Sequence, residues 1–207
     1  FNTDFNIRRV ERYLAIAWDS GAIPVIVLTK SDLCTDIEAR LAEVRAVALG
    51  VDVLVTSSMS EDGYTSIIKY IKTGQTIAFI GSSGVGKSTL INRLIGEDAI
   101  ATREIRKDDK GRHTTTRREL ILLPGGGMVI DTPGMREIGI ESADLARTFA
   151  DIDELARRCK FHDCSHTNEP HCAVQQAIIE GLLPVARLQT YIKLEKEVRY
   201  EGMNSKQ

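Results

Sequence analysis

The run Gly81-Ser82-Ser83-Gly84-Val85-Gly86-Lys87-Ser88 fits G-x-x-x-x-G-K-[ST], a spacing of residue types that can cradle phosphate. Its glycines let the backbone wrap close to phosphate oxygens with N–H groups pointing inward. A helix opening at Lys87 adds the partial positive charge of its N-terminus. Lys87 would reach the β- and γ-phosphates and the Ser88 hydroxyl would ligate Mg²⁺, with Thr89 beside them in the nucleotide-binding set. Met128-Val129-Ile130-Asp131 is an apolar strand ending in an acid, followed by Thr132-Pro133-Gly134. Asp131 there can hold Mg²⁺ through water, and the Gly134 N–H can meet the γ-phosphate. D-x-x-G alone is a common turn. Fifty residues after Gly81, at the end of a buried strand, it carries weight.

Two further segments bear on the base. Thr29-Lys30-Ser31-Asp32 follows an apolar strand. An acid in an [NT]-K-x-D segment accepts from guanine N1–H and the exocyclic amine, while the lysine stem covers the ring. Adenine offers no such donor pair, so the acid selects G over A. Thr56-Ser57-Ser58, again at a strand end, resembles the short segment whose backbone contacts guanine O6. Thr29 stands where asparagine is commoner, which is expected to weaken one supporting hydrogen bond and to leave the Asp32 readout intact.

A third constellation is Cys159-x4-Cys164-x-His166-x5-Cys172, three thiolates and an imidazole suited to tetrahedral Zn²⁺. His162 and His171 could replace His166 geometrically, whereas Cys34 is remote in sequence. Full protein coordination leaves no open position for water, so such a site is structural. It would pin a loop in a domain too small for a large core. Three of the four cysteines fall within fourteen residues, unlike a disulfide framework, which points to a reducing cytoplasm.

These residues need elements to position them. Apolar residues at helical spacing over 6–20 (Ile7, Val10, Leu14, Ala17, Trp18) predict a helix stopped by Gly21. Residues 23–28 are almost wholly apolar and β-branched, a parallel strand buried on both faces with Pro24 near its start. Helix over 36–49, strand over 51–55, helix over 64–71 and strand over 76–80 follow. Next come a helix over 87–95 closed by Gly96, then strands over 118–123 and 128–130 linked by Pro124-Gly125-Gly126-Gly127. Such alternation predicts an α/β fold with a mostly parallel, doubly wound sheet. From Ala143 onward the pattern is helical apart from the Cys/His loop, with helices over 173–180 and 185–200. Leu182, Leu183, Leu188, Ile192 and Leu194 are read as core. The expected organisation is a nucleotide-binding domain over 1–145 and a helical zinc-binding domain over 146–207.

The order TKSD, TSS, phosphate loop, HTT, DTPG is a circular permutation of the usual G-protein order, which starts at the phosphate loop. Moving the last two motifs to the front displaces no site in space, because chain termini commonly lie close together. Together with Phe5-Asn6-Ile7-Arg8-Arg9-Val10-Glu11-Arg12-Tyr13-Leu14, Gly111-Arg112-His113-Thr114-Thr115-Thr116, Asp131-Thr132-Pro133-Gly134-Met135-Arg136 and the Cys/His cluster, these motifs resemble one family along essentially the whole chain. It is the circularly permuted, ribosome small-subunit-dependent GTPases (the RsgA, or YjeQ/YloQ, family).

The resemblance implies a P-loop GTPase that binds GTP/GDP, Mg²⁺ and Zn²⁺ and acts late in maturation of the small (30S) ribosomal subunit and its rRNA. It implies His166 as the imidazole ligand, and Thr114 or Thr115 as the switch ligand of Mg²⁺ and γ-phosphate, with Thr115 preferred. Family members usually carry an N-terminal OB-fold that nothing here matches, and a strand is expected before the first helix. Phe1 in place of Met reads like the middle of a longer chain.

Met135 occupies the place after D-x-x-G where many GTPases carry a water-orienting glutamine. His113, next to the switch threonines, is the candidate to do that work. Otherwise intrinsic hydrolysis is slow until a partner completes the site, or the chain is a nucleotide-gated RNA-binding module. A P-loop kinase or ATPase is the third reading. Residues 103–118 hold seven Lys/Arg against three acids, a loop that suits phosphate backbone although the whole chain has a net charge of only -2. No apolar run is long enough to span a bilayer. A monomer is expected.

Overall fold

A computed structural model of the protein describes residues 5–57, 62–82, 84–95, 119–131 and 143–204. The chain divides into two compact units. One comprises Phe1–Phe5, Ile26–Ile37 and Val53–Ile138, the other Asn6–Val25, Glu38–Asp52 and Gly139–Gln207.

Strands β1 (Val25–Leu28), β2 (Asp52–Val55), β3 (Thr76–Ala78), β4 (Glu119–Leu122) and β5 (Met128–Asp131) alternate with helices α1 (Ile7–Asp19), α2 (Ile37–Val47), α3 (Asp62–Ile68) and α4 (Lys87–Ile95). Among the described residues β1 pairs with β2, and β3-β5-β4 form a three-stranded sheet. β3 and β5 run parallel with Ala78 opposite Ile130, and β4 is antiparallel to β5 with Leu120 opposite Ile130. This is the predicted α/β class, with parallel pairing at its centre and a hairpin at its edge. The hairpin turn allows no side chain at Gly127, where a Cβ would sit 2.7 Å from Ile71 Cγ2. The sheet closes on α4 through Ile91, Leu94, Ile95, Leu123 and Val129, a small core with Phe79 and Ile121 at its margin.

The helical unit is built from α1 and α2 from Glu38 onward, together with α5 (Leu145–Thr148), α6 (Ala150–Ala156), α7 (Ala173–Ile179) and α8 (Val185–Asn204). Asn6 caps α1 by accepting from Arg8 N at 3.0 Å, satisfying one of the orphan amides of its first turn. Phe149, Ile152, Val174, Ala177, Leu183, Leu188 and Leu194 form the core, with Cys172 among them. Phe149 meets Tyr191 edge-on at 5.5 Å. Leu182, read from the sequence as core, is instead 76% exposed. Gly181 turns the chain at φ 74, and the amides of Leu182 and Leu183 both donate to Ala177 O, so only Leu183 enters the core.

Charge is buried beside that core. Arg187 Nη1 donates to Glu11 Oε1 at 2.7 Å across 176 residues of sequence, and both side chains are at most 5% exposed. The same guanidinium grips Asp151 with two bonds of 2.6 and 2.8 Å, donates to Thr148 O, and lies over the Phe149 ring. Burial raises the Glu11 carboxyl above the ordinary range even though Arg187 pulls the other way. Desolvating these groups is offset only because every member is bonded. Glu11→Ala strands part of the Arg187 charge. It should lower the free energy of unfolding by about 3 kcal/mol, measured by urea denaturation. A loss below about 0.5 kcal/mol, the size of a surface change, would show that the pair carries no stability.

Candidate functional site

The loop that follows β3 begins at the sheet edge where β5 also ends, so the parallel register puts the backbone of Asp131 at the same end as the phosphate loop. Gly84 (φ 78) and Gly86 (φ 98) adopt conformations that L side chains rarely reach, and α4 starts immediately after them at Lys87. Lys87 Nζ arches back to donate to Gly81 O at 2.6 Å and Ser82 O at 2.7 Å, which stations the ammonium over the loop. Burial lowers its pKa from the ordinary lysine value. A cation desolvated in this way gains from any anion that joins it.

The segments expected from the sequence to meet the base converge on the same loop. Thr29 Oγ1 donates to Val85 O at 2.6 Å, joining the end of β1 to the phosphate loop across 56 residues. Lys30 takes a left-handed conformation (φ 58) that turns the chain into a 3₁₀ turn, Ser31–Leu33. Thr56 N donates to Leu28 O at 2.8 Å and Ser31 N to Thr56 O at 3.1 Å, clamping this turn to the end of β2. Ser57 Oγ then donates to Asp32 Oδ1 and fixes the carboxylate. Thr29, Lys30, Asp32 and Ser57 are thus brought into one unit with Gly81, Ser82, Gly84, Val85, Gly86, Lys87, Ser88 and Thr89. Ser58, Ser83, His113, Thr115, Gly134 and Met135 lie outside the described residues, as does the basic stretch 103–118.

The helical unit holds the second site. Sγ of Cys159, Cys164 and Cys172 and a ring nitrogen of His166 all lie within 4.8 Å of one another. His166 Nδ1 stands 3.5 Å from Cys172 Sγ and 3.7 Å from Cys159 Sγ. Cys159 and Cys172 sulfurs are 3.8 Å apart, nearly twice the roughly 2.05 Å of a disulfide. His162, His171 and Cys34 do not join the group.

The donors suit a metal. Burial lowers the His166 imidazole, which favours the neutral form that can ligate. Burial works against the Cys159 thiolate, but N–H groups of Ala173 and Val174 outweigh it and pull the pKa down. Cys164 is raised to about 11 by burial and by the neighbouring sulfurs, since crowded thiolates repel without a cation between them. Cys159, Cys164, His166 and Cys172 would hold the ion, which would tie the loop to the core that Cys172 already belongs to.

A family model described as RsgA GTPase matches residues 1–141. The chain belongs to the RsgA GTPase family. It is 59% identical over 207 residues to "Small ribosomal subunit biogenesis GTPase RsgA 2" of Lactiplantibacillus plantarum, covering 100% of this chain and 59% of that protein. It is 50% identical over 204 residues to "Small ribosomal subunit biogenesis GTPase RsgA 1" of Listeria monocytogenes, covering 97% and 59%.

Among solved structures, YjeQ from Thermotoga maritima superposes with a TM-score of 0.67 at 27% identity, covering 95% of this chain and 67% of that one. YloQ, described as a circularly permuted GTPase, gives 0.66 at 33% identity, covering 96% and 64%. The chain spans 59% of the length of these two curated relatives. The chain thus has a circularly permuted P-loop GTPase fold. No helix among the described residues is long and apolar enough to cross a membrane.

If the thiolate cluster is a structural metal centre, the chain purified without chelator should carry one zinc per molecule. Stripping the metal should then lower Tm by about 5 °C or more, the equivalent of about 2 kcal/mol for a chain of this size. Metal analysis and a thermal melt before and after chelation decide it; an unchanged melt would remove the stabilising role.

Proposed function

We propose that this chain is a GTP-binding and GTP-hydrolysing protein that acts on the small ribosomal subunit during its late maturation, in the cytoplasm. The observation that carries the reading is the bond from Thr29 Oγ1 to Val85 O. It ties the segment that carries Asp32 to the phosphate loop, which supports a single nucleotide meeting both. The names of the relatives, all small ribosomal subunit biogenesis GTPases, support the partner. The basic residues 103–118 suit contact with rRNA phosphates. Along the chain we read a GTPase domain over 1–145 followed by a helical zinc-binding domain over 146–207, with α1 of the first packed on the helices of the second through Glu11 and Arg187.

Each residue has a task. Asp32 accepts from guanine N1–H and the exocyclic amine, held in orientation by Ser57, while the Lys30 stem covers the ring. Backbone at Ser57 and Ser58 meets O6. The amides of Gly81, Ser82, Ser83, Gly84, Val85 and Gly86 surround the phosphates, with Ser88 and Thr89 at the helix start. Lys87 moves its ammonium from the loop carbonyls to the β- and γ-phosphate oxygens and stabilises the charge that develops as the γ-phosphoryl transfers. Ser88, Thr115 and Asp131 would hold Mg²⁺, which would supply positive charge against the phosphates. Gly134 N–H faces the γ-phosphate, and His113 orients the water that attacks phosphorus as the bond to the β-phosphate oxygen breaks. Cys159, Cys164, His166 and Cys172 would hold Zn²⁺ as a structural ion.

Met135, in the place of a water-orienting glutamine, favours one alternative, a nucleotide-gated RNA-binding module in which hydrolysis is incidental. Single-turnover hydrolysis with and without small subunits separates the two. Stimulation by subunits supports the GTPase. Turnover unmoved by subunits and by His113→Ala supports the module.

Guanine selectivity gives the sharper test. Two bonds to a charged acceptor are worth about 1.5–3 kcal/mol each, so Asp32→Ala should weaken GDP binding by roughly 10² to 10⁴-fold. Asp32→Asn should favour xanthosine diphosphate, whose 2-oxo group accepts from the new amide. Fluorescent-nucleotide competition reads both. ATP displacing GDP from the unaltered protein as well as GTP does would overturn the guanine assignment and leave a kinase or ATPase.

A further inference from the structure

The loop between Cys164 and Cys172 must hold His166 in a conformation that few side chains adopt. Its φ is 59, in the left-handed region, and such a residue persists only where its surroundings impose it. Most of that imposition comes from one side chain that is not a ligand. Glu169 Oε1 accepts from Ser165 N at 2.8 Å and from the Ser165 hydroxyl. Glu169 Oε2 accepts from Thr167 N at 2.9 Å and Asn168 N at 3.0 Å. The four donors lie on both sides of His166, so one carboxylate closes the loop around the residue that has to point its imidazole at the sulfurs. Gln175 completes the hold, its Nε2 donating to His166 O. Both Glu169 oxygens are engaged by the chain, and the carboxylate is not among the four convergent donors.

We infer that Glu169 is a positioning residue of the metal centre, which shapes the Cys164–His166 loop before the ion arrives. The inference rests on the zinc reading of the cluster. A loop folded in advance loses less freedom when the ligands close on the ion, so its contribution appears as affinity. Outer groups that orient ligands typically account for 10- to 100-fold in metal affinity. Glutamine at this position keeps the shape but replaces one acceptor oxygen with a donor that faces N–H groups, so even the near-isosteric change breaks half of the hold.

The experiment uses the 207-residue chain as unaltered protein, Glu169→Gln, Glu169→Ala and Ser165→Ala. Zinc affinity is measured by competition with a chromogenic chelator, and Co²⁺ spectra are recorded for each protein. We expect Glu169→Gln and Glu169→Ala to bind zinc about 10- to 100-fold more weakly, and Ser165→Ala only several-fold more weakly. The Co²⁺ charge-transfer and ligand-field bands should keep the same positions in all four, because the ligands themselves are unchanged. Wild-type affinity in Glu169→Gln overturns the inference, and so does a band shift in Glu169→Gln, which would make Glu169 a ligand. If Glu169→Ala fails to fold, Ser165→Ala still decides, since unchanged affinity there speaks against the carboxylate hold. Failure of the unaltered protein to bind zinc or Co²⁺ at all would instead overturn the metal reading on which this one depends.

Discussion

On the proposed reading, a hydroxyl and a carbonyl 2.6 Å apart hold the two ends of the nucleotide site together. The Thr29–Val85 bond joins the end of one strand to the crest of the phosphate loop. A nucleotide has a base at one end and phosphates at the other, so a protein that reads both must fix the distance between two separate segments. Here the second segment is encoded after the first, the reverse of the usual G-protein order. The permutation is tolerated because neither end of the nucleotide site depends on the sequential link between them. What matters is that Thr56 bonds Leu28 and Ser31, that these bonds seat the Ser31–Leu33 turn, and that Thr29 then reaches the loop. Each contact is local in space and long in sequence, so they stand or fall together.

The helical unit solves a different problem. Its core is small, and two of its walls are polar. On one side Arg187 draws Glu11, Asp151 and Thr148 around itself beside Phe149. On the other, Cys172 is both a core residue and a member of the thiolate cluster. Apolar burial alone would leave such a unit marginal, and both devices draw on geometry that only the folded state possesses. They also make the unit specific. A buried guanidinium with three defined acceptors tolerates one arrangement of α1, α5, α6 and α8, where interchangeable leucines would tolerate several.

Much of this was legible in the residues. Helix α4 begins at Lys87 as read, because a phosphate loop fixes that end. The strands were placed to within about two residues, their apolar runs being short but uninterrupted. The Cys/His set was legible because few roles other than metal binding bring those types so close. Three things were not. An amphipathic pattern says that α1 buries one face without naming its partner, so its union with the C-terminal helices through Glu11 and Arg187 could not be read. Leu182 and Leu183 are chemically alike, and only the turn at Gly181 decides which is buried. Glu169 reads as one more acid in a polar loop, since nothing in its type reveals that four donors will converge on it.

Guanine recognition in this framework depends on how the carboxylate is prepared. An aspartate at the tip of a loose loop would have to be ordered each time a nucleotide arrived, and the ordering would be subtracted from affinity. Asp32 is ordered beforehand. Lys30 accepts a left-handed backbone so that Ser31–Leu33 can form one tight turn, and the amides of Leu33 and Cys34 close it onto Lys30 O and Ser31 O. Ser57 then binds one oxygen, Oδ1. A carboxylate has about four lone-pair sites, so this bond aligns the group and leaves capacity for both guanine donors. The strain at Lys30 and the bond from Ser57 serve the same end, a charge whose direction is set before its ligand is present. Selectivity is thereby separated from hydrolysis. On the proposed reading the base meets a fixed turn built on two strand ends, whereas the rate depends on groups gathered around the γ-phosphate.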